Sequence, residues 1–135
     1  MALLVSGCLL TPTSLSLHLD WEVPWRLVGG QRLLAVALHS GSAFLMAMML
    51  GGLLAIHVRL GWRHGGNTVS GILLLLVQAG LILTALGIFY FGNEDWARLA
   101  ALAHLLLGAL LVLPFLYHFL RGRGLARYRH EHLRH

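Results

Sequence analysis

The sequence predicts an all-α integral membrane protein, a helical bundle with three full transmembrane helices and a partial N-terminal hydrophobic helix. The 135-residue chain is 58% hydrophobic and only 11% charged, and its mean hydropathy is +0.76. A soluble domain of this length could not bury so much apolar surface in a single core. Three apolar stretches are also long enough to cross the roughly 30 Å hydrocarbon core of a bilayer, which takes about 20 helical residues.

The three predicted spans cover residues 33–58, 69–91 and 97–120. Residues 1–19 are apolar as well, but Pro12 and several hydroxyl residues interrupt them. This N-terminal stretch could form a short helix, a re-entrant segment or a truncated fourth span. We therefore expect one transmembrane domain over residues 1–120, followed by a basic tail over residues 121–135.

The charges predict the orientation of the chain in the membrane. The formal net charge of +5 comes from arginine, since the chain has no lysine. Arginines gather in the loop after the first span and in the tail, whereas the loop at 92–96 carries Glu94 and Asp95. By the positive-inside rule the tail and the first loop are cytoplasmic, which fits a multi-pass protein of the bacterial inner membrane. Because the charges lie at the ends of the spans, they indicate topology and argue against nucleic-acid binding.

Four histidines lie inside the predicted spans: His39 and His57 in the first, and His104 and His118 in the third. Each helical residue turns the chain by about 100°. The distance along the sequence between the two histidines of each span therefore places them on one face of their helix. The two spans run in the same direction, which puts His39 level with His104 and His57 level with His118. Ionisable or metal-binding side chains at membrane depth are costly, and they therefore mark a functional site facing the bundle interior.

Two facing imidazole pairs are what two bis-histidine haems require, because neutral imidazole ligates iron and a macrocycle fits between bundle helices. The single Cys8 gives no CxxCH attachment motif, so the cofactor would be non-covalent haem b. Gly108 follows His104 by one helical turn and could let a macrocycle approach the backbone, although helix packing is an equal alternative. The two histidine pairs span roughly 27 and 21 Å along their helices. We expect a bend at Gly51-Gly52 to absorb part of this difference.

From His39 to Arg123 the chain resembles the small bacterial membrane cytochromes b, a group that includes the cytochrome b subunits of hydrogenases and formate dehydrogenases. The resemblance implies bis-histidine haem b in a helical bundle that relays electrons between a membrane quinone and a partner protein. It also implies haem-iron ligation by the four span histidines. The residues that carry the resemblance are His39, the run His57-Val58-Arg59-Leu60-Gly61-Trp62-Arg63, Ser70-Gly71, Thr84, Gly87, Tyr90, His104, Gly108 and His118.

The expected function is electron transfer, and the expected partners are membrane lipid, a quinone, and a redox subunit or a second copy of the chain. Iron ligated on both faces has no open position, so the chain is not expected to be an enzyme by itself. Two alternatives remain open. The chain could be a cofactor-free anchoring subunit whose histidines hydrogen-bond between helices. It could also be a small metal-handling transporter with intramembrane histidines as relay or ligands.

Overall fold

The computed structural model describes residues 2–54 and 68–132, and across them the chain is helical, which confirms the predicted fold class. The helices, in chain order, are α1 Ala2–His18, α2 Gly29–Leu53, α3 Thr68–Tyr90, α4 Glu94–Leu110 and α5 Val112–His132.

Three helical stretches are long and apolar enough to cross a membrane, as predicted: Gly29–Leu53, Val69–Tyr90 and Glu94–Gly124. The first begins earlier than the predicted span and includes Gly51 and Gly52; the last part of that span, residues 55–58, lies outside the described residues. The third extends beyond the predicted limits at both ends. Helix α5 continues to His132 and so enters the segment predicted as a tail.

The N-terminal stretch forms a single helix, α1, and whether it crosses the membrane stays open. It has 17 residues and contains Pro12, and it packs against α2 and α4. At about 1.5 Å per residue it is close to 26 Å long, somewhat shorter than the hydrocarbon core. Beyond His18 the chain turns through Asp20, whose φ of 53° is in the left-handed region, while Trp21 N–H donates to the Leu15 carbonyl. A residue in the left-handed region just after the last turn commonly ends a helix.

Helices α4 and α5 follow one another with a single turn residue, Leu111, between them. Pro114 explains the break, because a proline has no N–H to donate to the carbonyl four residues earlier. The Leu111 N–H still donates to the Leu107 carbonyl, and the Phe115 N–H donates to the Leu111 carbonyl. The two helices therefore form one nearly continuous membrane-crossing unit. At its start, the Asn93 side chain caps α4 by accepting from the N–H groups of Asp95 and Trp96.

Helix α3 packs antiparallel against α4 and α5, and small residues form much of the contact. A Cβ added at Gly87 would lie 2.9 Å from the Ala100 Cβ, and one at Gly80 would lie 3.0 Å from Leu107 Cδ1. Large apolar side chains point outward instead; Leu33 is 71% exposed and Leu83 is 68% exposed. Among the described residues the buried apolar side chains are all alanines: Ala35, Ala100 and Ala101. Small residues at helix contacts and large ones facing outward are typical of a membrane bundle.

We expect Gly87→Leu to destabilise the bundle, because the added side chain would overlap Ala100 on α4. Overpacking of this kind costs about 1–3 kcal/mol. The measurement is the thermal unfolding of the detergent-solubilised protein. Gly41→Leu is the matched control, since a Cβ at Gly41 on α2 has no neighbour within 4 Å. Equal unfolding temperatures for the two variants would contradict this account of the α3–α4 contact.

Candidate functional site: a histidine pair between two helices

His39 on α2 and His104 on α4 face one another, as the sequence predicts for residues at the same level. Each lies ten residues after the first residue of its helix, Gly29 or Glu94. The ring centroids are 6.3 Å apart and the ring planes are nearly perpendicular, at 79°. Both side chains are partly buried. Helix α2 makes its main contact with α1, and the His39 ring also reaches the His104 ring of α4.

The His39 ring is held by α1, the helix whose form the sequence left undecided. Ser6 Oγ lies 3.0 Å from His39 Nδ1. Ser6 is only 6% exposed, and its hydroxyl donates to the Ala2 carbonyl of its own helix at 2.7 Å. The neighbouring Gly7 leaves room for the ring, because a Cβ there would lie 3.3 Å from His39 Cε1. Helix α1 therefore acts as a wall of the site.

The His104 ring is held in the same manner by α3. Thr84 Oγ1 lies 3.0 Å from His104 Nδ1, and the Leu81 carbonyl lies 3.2 Å from the same nitrogen. The Thr84 hydroxyl donates to the Gly80 carbonyl at 2.8 Å. Four helices thus meet at one level, two supplying an imidazole and two supplying a hydroxyl.

His118 on α5 repeats this contact toward the other end of the bundle. Its Nδ1 lies 3.0 Å from Ser70 Oγ on α3, and a Cβ added at Gly71 would lie 3.6 Å from its Cε1. Ser70 and Gly71 therefore contact the His118 ring in the same way that Ser6 and Gly7 contact the His39 ring. His57, the predicted partner of His118, lies outside the described residues. The pairing of His57 with His118 therefore stays a prediction.

Gly108 lies one turn beyond His104 on α4, and a Cβ added there has no neighbouring atom within 4 Å. Gly80 and Gly87 differ, because their backbones are in close contact with α4. The sequence predicts a cofactor-binding role for Gly108 alone, because it follows His104 by one helical turn. In this structure Gly108 borders open space, while Gly80 and Gly87 are packing residues.

The hydroxyl partners were not predicted as functional residues. In the sequence, Ser70 and Thr84 contribute only to the family resemblance. Ser6 lies in the N-terminal stretch, for which the sequence permits several structures. A serine or threonine in an apolar helix commonly bonds a carbonyl of its own helix, so its presence alone indicates no site. Ser-Gly pairs occur in α1 and at the start of α3, but also as Ser40-Gly41 in α2, so the pair alone does not identify the site.

The described residues contain no group of three or more His, Cys, Asp or Glu side chains placed to hold a metal ion. Comparisons with protein-family models, curated proteins and solved structures find no match. The case for a function therefore depends on the geometry of the histidine pair and on the sequence pattern.

Proposed function

We propose that the chain is a membrane b-type cytochrome that relays electrons through bis-histidine haem b between a quinone pool and a redox partner. His39 and His104 are the ligands of one haem, and His57 and His118 are those of a second. The observation that carries the proposal is the facing pair of imidazoles on α2 and α4, each held at Nδ1 by a hydroxyl group of another helix.

The ring separation is suited to a shared metal. A metal–imidazole bond is about 2 Å, and each nitrogen lies about 1 Å from its ring centre, so two rings on opposite sides of one metal have centroids roughly 6 Å apart. The separation of His39 and His104 is 6.3 Å. Both residues present imidazole nitrogens from helices, and neutral imidazole is a donor that suits haem iron.

Bound haem would supply reversible one-electron chemistry. The residues of the chain hold it and determine its surroundings: His39 and His104 ligate, and the apolar helices exclude water. Gly108 lies one turn beyond His104, and a Cβ built there meets no atom within 4 Å. With a histidine on each side, bound haem would have no open position for a substrate, so the chain would transfer electrons only, with a quinone and a partner subunit as donor and acceptor. The sequence resemblance to small membrane cytochromes b supports the same function.

The cofactor-free anchor remains the second candidate, and a specific observation favours it. The contacts Ser6–His39, Thr84–His104 and Ser70–His118 are interhelical hydrogen bonds of the kind such a subunit would use. At His39 and His104 they do not exclude a cofactor, because these hydrogen bonds are made at Nδ1 and an imidazole has a second nitrogen.

The visible absorption spectrum of the purified protein, together with metal analysis, tests the proposal. A Soret band with sharp bands on reduction, and iron in the preparation, is the expected result. A colourless protein without metal would favour the anchor. A colourless protein that contains zinc or nickel would favour the metal-handling alternative.

We also propose that the C-terminus faces the cytoplasm of a bacterial inner membrane. Five arginines follow residue 120, and Glu131 is the one acidic residue of that segment. A reporter enzyme that is active only in the cytoplasm, fused after His135, should be active. A reporter active only in the periplasm should be inactive at the same position. Activity of the periplasmic reporter and inactivity of the cytoplasmic one would show that the chain has the opposite orientation. The two histidine pairs would then lie near the opposite sides of the membrane from those predicted.

A further inference from the structure

The contacts of His39 and His104 share one geometry. In each case the ring nitrogen Nδ1 lies 3.0 Å from a hydroxyl on a neighbouring helix, and that hydroxyl is within hydrogen-bond distance of the backbone carbonyl three residues before it. For His104 these groups are Thr84 and Leu81. For His39 they are Ser6 and Leu3, whose carbonyl lies 3.3 Å from the Ser6 hydroxyl oxygen. We call each hydroxyl with its carbonyl a cradle.

The cradles determine which ring nitrogen has the proton. A carbonyl can only accept a hydrogen bond, so the Leu81 carbonyl requires His104 Nδ1 to be the donor. The Thr84 hydroxyl agrees, because its own hydrogen is used in donating to the Gly80 carbonyl. At His39, the Ser6 hydroxyl likewise donates to the Ala2 carbonyl and is left to accept from Nδ1–H.

The consequence concerns the second nitrogen of each ring. A neutral imidazole with its proton on Nδ1 has a lone pair on Nε2. Among the described residues, the hydrogen bonds to the rings of His39 and His104 are made at Nδ1. The lone pair of each Nε2 is therefore available to a metal.

We infer that Ser6 and Thr84 are positioning residues, which fix the Nδ1–H form and the ring plane of His39 and His104 so that both Nε2 atoms can ligate. This inference rests on the proposed haem function. Metal-ligating histidines usually donate their other N–H to such a partner, which orients the ring and raises its basicity. The 3.0 Å contact between Ser70 and His118 places the same hydroxyl partner at the third histidine.

The first test measures the ring form without haem. Nitrogen-15 NMR of the full chain, labelled at histidine and purified from haem-deficient cells, should show His39 and His104 as neutral rings protonated at Nδ1, with His39→Gln and His104→Gln providing the assignments. Protonation at Nε2 in either ring would overturn the inference, whether or not the protein binds haem.

The second test removes the hydroxyl groups. In Ser6→Ala and Thr84→Val we expect haem affinity to fall roughly ten- to a hundredfold, the usual effect of losing such a partner. The reduction potential should rise, because a less basic imidazole stabilises oxidised iron less. Thr84→Ser, which keeps the hydroxyl, should have the haem affinity and the reduction potential of the wild-type protein. Thr11→Val is the matched control on α1, since the Thr11 hydroxyl bonds only the Gly7 carbonyl of its own helix.

The outcomes separate this inference from the proposed function. Wild-type protein that binds no haem would overturn both. Wild-type protein that binds haem, with Ser6→Ala and Thr84→Val matching Thr11→Val in affinity and potential per folded protein, would overturn the positioning role and leave the proposed function standing.

Discussion

Replacing either His39 or His104 with alanine should remove the same haem and leave about half of the pigment, if the chain holds two. The reason is that the two rings face each other at 6.3 Å and would be axial partners, so losing one leaves the iron with a single strong ligand. The measurement is haem per folded, membrane-inserted protein, with redox titration to identify which haem remains. The double variant should resemble each single variant, because both remove one site.

His18→Ala is the control for this comparison. His18 is the last residue of α1 and lies outside the candidate site, so its loss should leave the pigment unchanged. If His39→Ala and His104→Ala lose different haems, or if either keeps its full complement, the pairing is wrong. His118→Ala should lose the other haem, and His57→Ala should match it.

Gly108→Leu should exclude the haem held by His104 although both ligands remain. A leucine one turn beyond His104 would fill the space that Gly108 leaves on the same face of α4. The fold itself should tolerate the change, because a Cβ at Gly108 meets no atom within 4 Å. The measurement is again haem per folded protein, and Gly108→Ala, which adds only a methyl group, should keep most of the pigment.

The comparison with Gly87→Leu makes this prediction specific. Gly87 is in contact with Ala100, so its variant should lose stability, whereas Gly108→Leu should lose cofactor at nearly normal stability. Full occupancy in correctly inserted Gly108→Leu would refute the close-approach role, and would weaken the case that His104 faces a cofactor.

The sequence was sufficient to predict the helical membrane fold and the level of His39 with His104. Both follow from simple rules, the length of an apolar span and the turn per residue of a helix. The extent of α4 and α5 was less predictable, because arginine is a good helix former and the helix continues past the apolar residues.

The role of α1 could not be predicted, because Pro12 and the hydroxyl residues permitted several structures. Its packing is what brings Ser6 to His39, a contact between residues 33 positions apart. Thr84 and His104 are similarly separated in sequence and meet only when α3 and α4 pack. Contacts of this kind depend on helix rotation, which the apolar pattern of a membrane helix defines poorly. The hydroxyl partners of the two histidines are therefore identified by the structure and not by the sequence.

The most direct test of the central claim is the electron paramagnetic resonance spectrum of the oxidised protein as purified. If His39 and His104 ligate one iron from opposite sides, the iron has two imidazole ligands and no open position, and the account predicts a low-spin ferric haem signal. The reduced protein should accordingly fail to bind carbon monoxide. A high-spin signal, carbon monoxide binding, or the absence of any haem signal from folded protein would contradict it.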